Sequence, residues 1–339
     1  MKTKKVVLIF LALGMVPFVL VGNVVTLPDL VNPISIAAEG DRLYITEQTS
    51  VFIFSSKNFK LLKKFGKRGE GPSEFMTSPG FNITLYVHPD YLLINSPSKI
   101  SIFSKEGKFI KEQKSSWPLP NFQPLGKSFV GFSAYVENKV RYLDFHLYDL
   151  ELKKTKPIFK TRNPFQRLSD EHNPLIQTLP YQYYSKHGKV FINEVNEVIH
   201  VFGADGKKNF VLKYDFNKLK VTDKLKEEVY EVYRTHPGTK NMFETLKKLM
   251  KFPQTFPPMR DFYVADKKIY VLPFAKENGE NYFYIFDMNG KFVKKIPVPI
   301  KDRNIFELYP YALEGSKLYQ LVENEEEEWE LHIASIEVK

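Results

Sequence analysis

Six times along this chain a short strand-like segment is followed by a polar turn, an apolar strand, a tight turn and a further strand. The first copy, ISIAAEGDRLYITEQTSVFIFSSKNFKLLKKFG, starts at Ile34, and the second, ITLYVHPDYLLINSPSKISIFSKEGKFIKEQ, starts at Ile83. A looser third begins at Ser128, a fourth contains Gly188 onward, a fifth starts at Phe262, and the last runs from Tyr311 to the end. Segments such as RLYIT, KVFIN and KIYVL are rich in β-branched and aromatic residues, which suit a pleated, half-buried surface. The turns KEGK, ADGK and MNGK place glycine where a hairpin needs positive φ. Each unit can thus supply four antiparallel strands. No such unit can bury both of its faces alone, so the copies must pack against one another, and a closed ring does this with few open edges. The pattern predicts an all-β fold, a six-bladed β-propeller of four-stranded blades. The sixth copy runs out of chain after its third strand, and Val24-Val25-Thr26-Leu27 is a spare strand-like piece able to complete it.

One stretch departs from this pattern. Leu225, Val229, Val232 and Tyr233 form a helical stripe between Thr222 and Tyr233, and Met242, Phe243, Leu246, Leu249 and Met250 form a second. Asn241 with Glu244 three residues later reads as a capping box, and Pro253 follows the end. A helical hairpin over about 222–251 is therefore expected as an insertion between blades 4 and 5. The propeller itself is expected to span 24–339 as one domain.

The N-terminus has a different character. MKTKK leads into an uncharged apolar run from Val6 to Gly22, the layout of an export signal. The run sits at the lower limit for a spanning helix, and Gly14 and Pro17 weaken it as a permanent one. Residues 1–22 are read as a signal peptide or an N-terminal anchor, with the body exported to the periplasm or the outer side of the cytoplasmic membrane. The chain has no Cys, which excludes disulfides, thiolate metal sites and a catalytic cysteine. The net charge of +10 is spread along the sequence without a recognition motif, so no nucleic-acid partner is expected.

FGKRGEGPSEF, Phe65 to Phe75, is the densest glycine segment. A phosphate loop requires Gly-x4-Gly-Lys-Ser/Thr opening a helix, and a dinucleotide loop also opens a helix; this stretch has neither feature. It reads as a turn between the last strand of blade 1 and the first of blade 2. Extended to FGKRGEGPSEFMTSPG, it resembles the glycine-rich blade connection of NHL-type six-bladed propellers. KISIFSKEGKFIKE and FYIFDMNGKFVKKI resemble the outer hairpins of such blades. FPQTFPPMRDFYVADKKIYV is similar to a segment of uncharacterised exported bacterial six-bladed propellers. The resemblance implies the fold and is nearly silent on activity.

Some propellers are metal-dependent lactonases or lyases that act at a central channel. The seven histidines show no HExxH, no i,i+4 pair and no shared repeat position, and Glu325 to Glu328 read as a solvated hairpin tip. A GxSxG elbow is absent. What stands out is one face. The inter-blade loops, which open on one side of a propeller, carry Lys67, Arg68, Glu70, Trp117, Arg162, Phe165, Arg167, His172, Arg260 and Arg303. Arginine and tryptophan among glycine and proline suit a binding surface. The expectation is a monomeric, non-catalytic binding or scaffold module for a protein, peptide or glycan, without cofactor. The alternative is a hydrolase or lyase with a Ca or Zn ion in the channel.

Overall fold

Strand segments that are apolar on both sides must be covered on both sides, and a ring of radial sheets achieves this. The computed structural model describes residues 22–77, 82–115, 120–163, 171–177 and 182–336. Among these, six four-stranded antiparallel sheets form, and five of them run in chain order from an innermost to an outermost strand. The inner strands are Ser35–Glu39, Thr84–Val87, Phe122–Leu125, Tyr183–Lys186, Met259–Ala265 and Tyr311–Glu314. The molecule is a six-bladed β-propeller. In blade 6 the outermost strand comes from the N-terminal side: Asn23–Thr26 pairs antiparallel with Trp329–Ser335, with Val25 opposite Leu331.

Each junction between neighbouring blades has its own apolar cluster. Leu43, Phe52, Leu321 and Trp329 fill the junction of blades 6 and 1, and Tyr44, Ile53, Phe75 and Ile94 that of blades 1 and 2. Clusters around Phe129, Phe145, Phe262 and Phe283 continue the ring. The outer hairpin glycines serve this packing directly. A Cβ on Gly107 would lie 2.7 Å from the Phe65 ring, and one on Gly290 would lie 2.6 Å from the Phe210 ring. In both cases an aromatic side chain on the outer strand of the preceding blade rests on the glycine turn of the next. Both glycines also have positive φ, so a side chain there meets a conformational cost and a clash together.

The loop Phe65 to Phe75 is a structural latch. Gly66 takes φ +86°, and the short segments Lys67–Arg68 and Glu74–Phe75 pair in parallel. The Glu74 carboxylate accepts from Gly71 N at 3.0 Å and pairs with Lys67 at 3.0 Å. The buried Lys99 ammonium donates to the carbonyls of Glu70 (3.2 Å) and Gly71 (2.8 Å) and to Glu112 (2.9 Å), tying the loop to blade 2.

The helical insertion lies between blades 4 and 5. Its first helix is Asp223–Thr235, capped by Thr222, whose hydroxyl accepts from Leu225 N at 3.3 Å. The second, Phe243–Leu249, starts later than the expected Asn241, behind a 3₁₀ turn at Lys240–Met242, and neither turn is capped by a side chain. The reason is local: the Thr239 hydroxyl donates to Tyr233 O at 2.6 Å, which holds the connection against the first helix. Val229, Tyr233, Phe243 and Leu246 pack with Leu175, Phe274 and Phe306. These partners come from the connection of blades 3 and 4, from the middle hairpin of blade 5, and from the connection of blades 5 and 6. All are on the inter-blade loop face, so the insertion covers part of that face.

Candidate functional site

Side chains alternate across a strand, so positions i and i+2 of an inner strand share a side. In blade 4 this brings Gln182, Tyr184 and Lys186 into line, and in blade 5 Asp261 and Tyr263. All five line a central cavity of about 750 Å³ to which every inner strand contributes. The volume suits a small ligand or an inserted side-chain group.

The cavity wall is layered along its axis. At the inter-blade end Asp261 accepts from Gln182 Nε2 at 2.5 Å and from the Tyr311 hydroxyl at 3.0 Å. Burial pushes the Asp261 carboxyl up to about 6, against the opposing effect of these hydrogen bonds and of Arg260. Below it is an aromatic layer: the Tyr263 ring centroid is 5.5 Å from those of Tyr184 and Tyr311. Burial holds the hydroxyls of Tyr184 and Tyr311 protonated well above the ordinary tyrosine range. Gln123 fastens blade 3 to blade 4, donating to Tyr183 O at 2.6 Å and accepting from Ser185 N at 2.8 Å. At the far end, where inner strands turn back toward the second strand, Glu39, His88, Lys186 and His187 complete the wall.

The candidate loop residues fall into distinct environments. Lys67, Arg68, Glu70 and Arg303 are exposed on the connections that follow blades 1 and 5, and Arg162 is exposed at the end of the outermost strand of blade 3. Among the described residues, the guanidinium groups of Arg68, Arg162 and Arg303 have no hydrogen-bond or ion-pair partner. Arg260 is buried. It pairs with Asp302 and donates to the carbonyls of Asn304 (2.8 Å) and Glu307 (3.3 Å). His172 is also buried, its backbone bridging to Met250 and Lys251 beneath the helical insertion. Trp117, Phe165 and Arg167 lie outside the described residues. The exposed arginines are therefore spread around the rim and do not converge on one point.

The channel residues were the ones that loop composition did not bring forward. A signal for them exists in the sequence: polar residues at every second position of otherwise apolar inner strands, as in Gln182-x-Tyr184-x-Lys186 and Asp261-x-Tyr263. Among the described residues no group of three or more His, Cys, Asp or Glu is placed to hold a metal ion. None of the described helices is long and apolar enough to cross a membrane.

Fold and channel together define a six-bladed β-propeller with a layered polar and aromatic centre. Residues 29–179 match the model of a family described as a 6-bladed beta-propeller. Among solved structures, the chain is similar to BamB from Moraxella catarrhalis, at 9% identity and a TM-score of 0.33, covering 88% of this chain and 71% of that one. It is also similar to BBS1N in a complex with ARL6DN, at 11% identity and a TM-score of 0.38, covering 91% and 79%. A third is KlHsv2 carrying a Gly-Ser linker in place of loop 6CD, at 9% identity and a TM-score of 0.36, covering 89% and 84%. No curated protein matches the chain.

Proposed function

We propose that this chain is a non-catalytic binding or scaffold module of the cell envelope. It recognises a protein, peptide or glycan on the inter-blade loop face and acts as a monomer. The observation that carries this reading is the set of exposed guanidinium groups on Arg68, Arg162 and Arg303, unpartnered among the described residues and borne on loops and a strand end anchored to a rigid ring. Lys99 and the Glu74 carboxylate hold the Arg68 loop in place, so its position does not have to be ordered on binding. Arginine offers paired donors to carboxylate or phosphate groups, and the helical insertion walls one sector of the same face. The test uses a fluorescent hexaglutamate peptide and the purified full-length protein. Arg68→Ala and Arg162→Ala together should weaken binding about tenfold, and wild-type binding should fall as salt rises past a Debye length of about 10 Å. Equal affinity of the double variant and wild type would sink the reading.

The module is placed outside the cytoplasm, on the strength of the lysines at 2, 4 and 5 and the apolar run after them. A C-terminal reporter that matures only outside the cytoplasm should be active, and an inactive reporter on a stably expressed fusion would refute export.

One observation favours a hydrolase or lyase instead. Asp261, a channel carboxyl pushed up to about 6, could exchange a proton near neutral pH. Under that reading ester or lactone turnover is present in the wild type and lost in Asp261→Asn. Under the binding reading there is no turnover to lose.

A further inference from the structure

The face opposite the inter-blade loops carries a charge imbalance of its own. There the inner strands end and the outer hairpins turn, bringing five carboxylates to the rim of the channel. Four have a partner. Glu39 pairs with Lys105, and Glu106 with Arg42 at 2.6 Å. Glu314 accepts from Gly40 N at 3.3 Å, and Asp266 from Gly315 N at 3.3 Å and Ser316 N at 3.1 Å. The fifth, Asp90, is exposed to solvent, and its backbone N donates to His88 Nδ1 at 3.3 Å. Lys186 is different. Its side chain lines the cavity, and among the described residues its ammonium has neither a hydrogen bond nor an ion pair. Burial holds Lys186 below the ordinary lysine value, against the opposing charge of Glu314. His88 and His187, which line the same mouth, are both held below the usual histidine value, chiefly by burial; Asp90 opposes this at His88, and the Lys186 charge adds to it at both. They are therefore neutral at pH 7 and able to donate or accept without adding charge.

A half-buried cation without a partner, facing a cavity, costs desolvation that an incoming anion can offset. The geometry points to an anion-binding site at this mouth, in which Lys186 takes the carboxylate or phosphate of a small ligand. His88 and His187 flank the anion, and the body of the ligand lies against Tyr184 and Tyr263. On strand Tyr183–Lys186, Tyr184 is two residues from Lys186, about 7 Å along the chain, which matches the span of one aromatic ring with its anionic substituent. The site is at the other end of the channel from the loop arginines and stands independently of the function proposed above.

The test is calorimetric titration of the purified full-length protein at low ionic strength with benzoate, with phenyl phosphate and with neutral benzamide. Both anions should bind and benzamide should bind more weakly than either. Tighter binding of phenyl phosphate would identify a phosphate ligand, and tighter binding of benzoate a carboxylate. Lys186→Met should lower the affinity for each anion about tenfold or more and leave benzamide unchanged, whereas Lys186→Arg should stay within a few-fold of wild type. The fold is monitored by the melting temperature, which either anion should raise in the wild type and in Lys186→Arg but not in Lys186→Met. Absence of anion binding by the wild type would overturn the proposal, as would a Lys186→Met variant that binds benzoate and phenyl phosphate undiminished.

Discussion

Deleting residues 24–30 should remove most of the stability of the propeller and leave no cooperative unfolding transition at 37 °C. The segment does two jobs at the point where the ring closes. Its first part pairs along Trp329–Ser335, and Leu27 N donates to Trp329 O at 2.8 Å. Its second part buries Leu27 and Leu30 against Ile36, Phe54 and Trp329, where blade 6 meets blade 1. Just beyond, Trp329 Nε1 donates to Val31 O at 2.9 Å, and the Glu47 carboxylate accepts from Asn32 N at 3.0 Å. Burial of the two leucines alone is worth about 1.5–3 kcal/mol each, and the exposed strand edge adds to the loss. The total approaches the 5–15 kcal/mol that a whole domain commands. A smaller version of the same test is Leu27→Ala, which should cost about 2–5 kcal/mol in urea unfolding. A deletion variant with an unchanged melting curve would mean that blade 6 holds without its N-terminal strand.

This closure was legible in the sequence because the deficit was countable: the last unit had three strands, and one strand-like segment was left over. Blades 1 and 2 were equally plain, since their two middle strands are short, mostly apolar runs between turn residues. The inner strand of blade 3, Phe122–Leu125, was harder to see. It is four residues long and contains Pro124, which argues against a strand by propensity; Gln123 and Asn95 compensate through hydrogen bonds to the neighbouring backbone. Loop position placed the candidate arginines on one face, but it gave no information on partners. Arg68 and Arg260 look alike in sequence, yet one is exposed and the other is enclosed by a loop more than forty residues downstream. The channel set was obscured for a related reason. A tyrosine or aspartate in an inner strand matters only when six strands from distant parts of the chain meet, and the period-two signal within one strand does not report that meeting.

The enclosed Arg260 carries the second large expectation: Arg260→Ala should destabilise the protein by about 3 kcal/mol, and Arg260→Lys should not restore it. The guanidinium is 5% exposed and reaches Asp302, Asn304 O and Glu307 O at once, with the Phe274 ring centroid 5.9 Å from its central carbon. Removing it strands the Asn304 carbonyl, while Glu307 O keeps Arg303 N at 2.9 Å, and leaves Asp302 with Lys276 alone, at 2.7 Å. A lysine ammonium could meet one of these acceptors but lacks the planar fork that meets all three. The consequence should extend beyond global stability. The loop that Arg260 holds presents Phe306 to the helical insertion and Tyr309 to the channel, and it is folded on itself by Asn304, whose side chain accepts from Phe306 N and Glu307 N at 2.9 Å. Amide exchange at Arg303, Phe306 and Glu307 should therefore quicken in Arg260→Ala well before global unfolding, while amides of blade 2 keep wild-type protection. If stability and exchange both stay at wild-type values, Arg260 is not a strut of this loop, and its guanidinium is available to a ligand together with Arg68, Arg162 and Arg303. If both change as expected, any loss of ligand affinity in Arg260→Ala comes from a displaced loop and insertion, and the direct contacts belong to the exposed arginines.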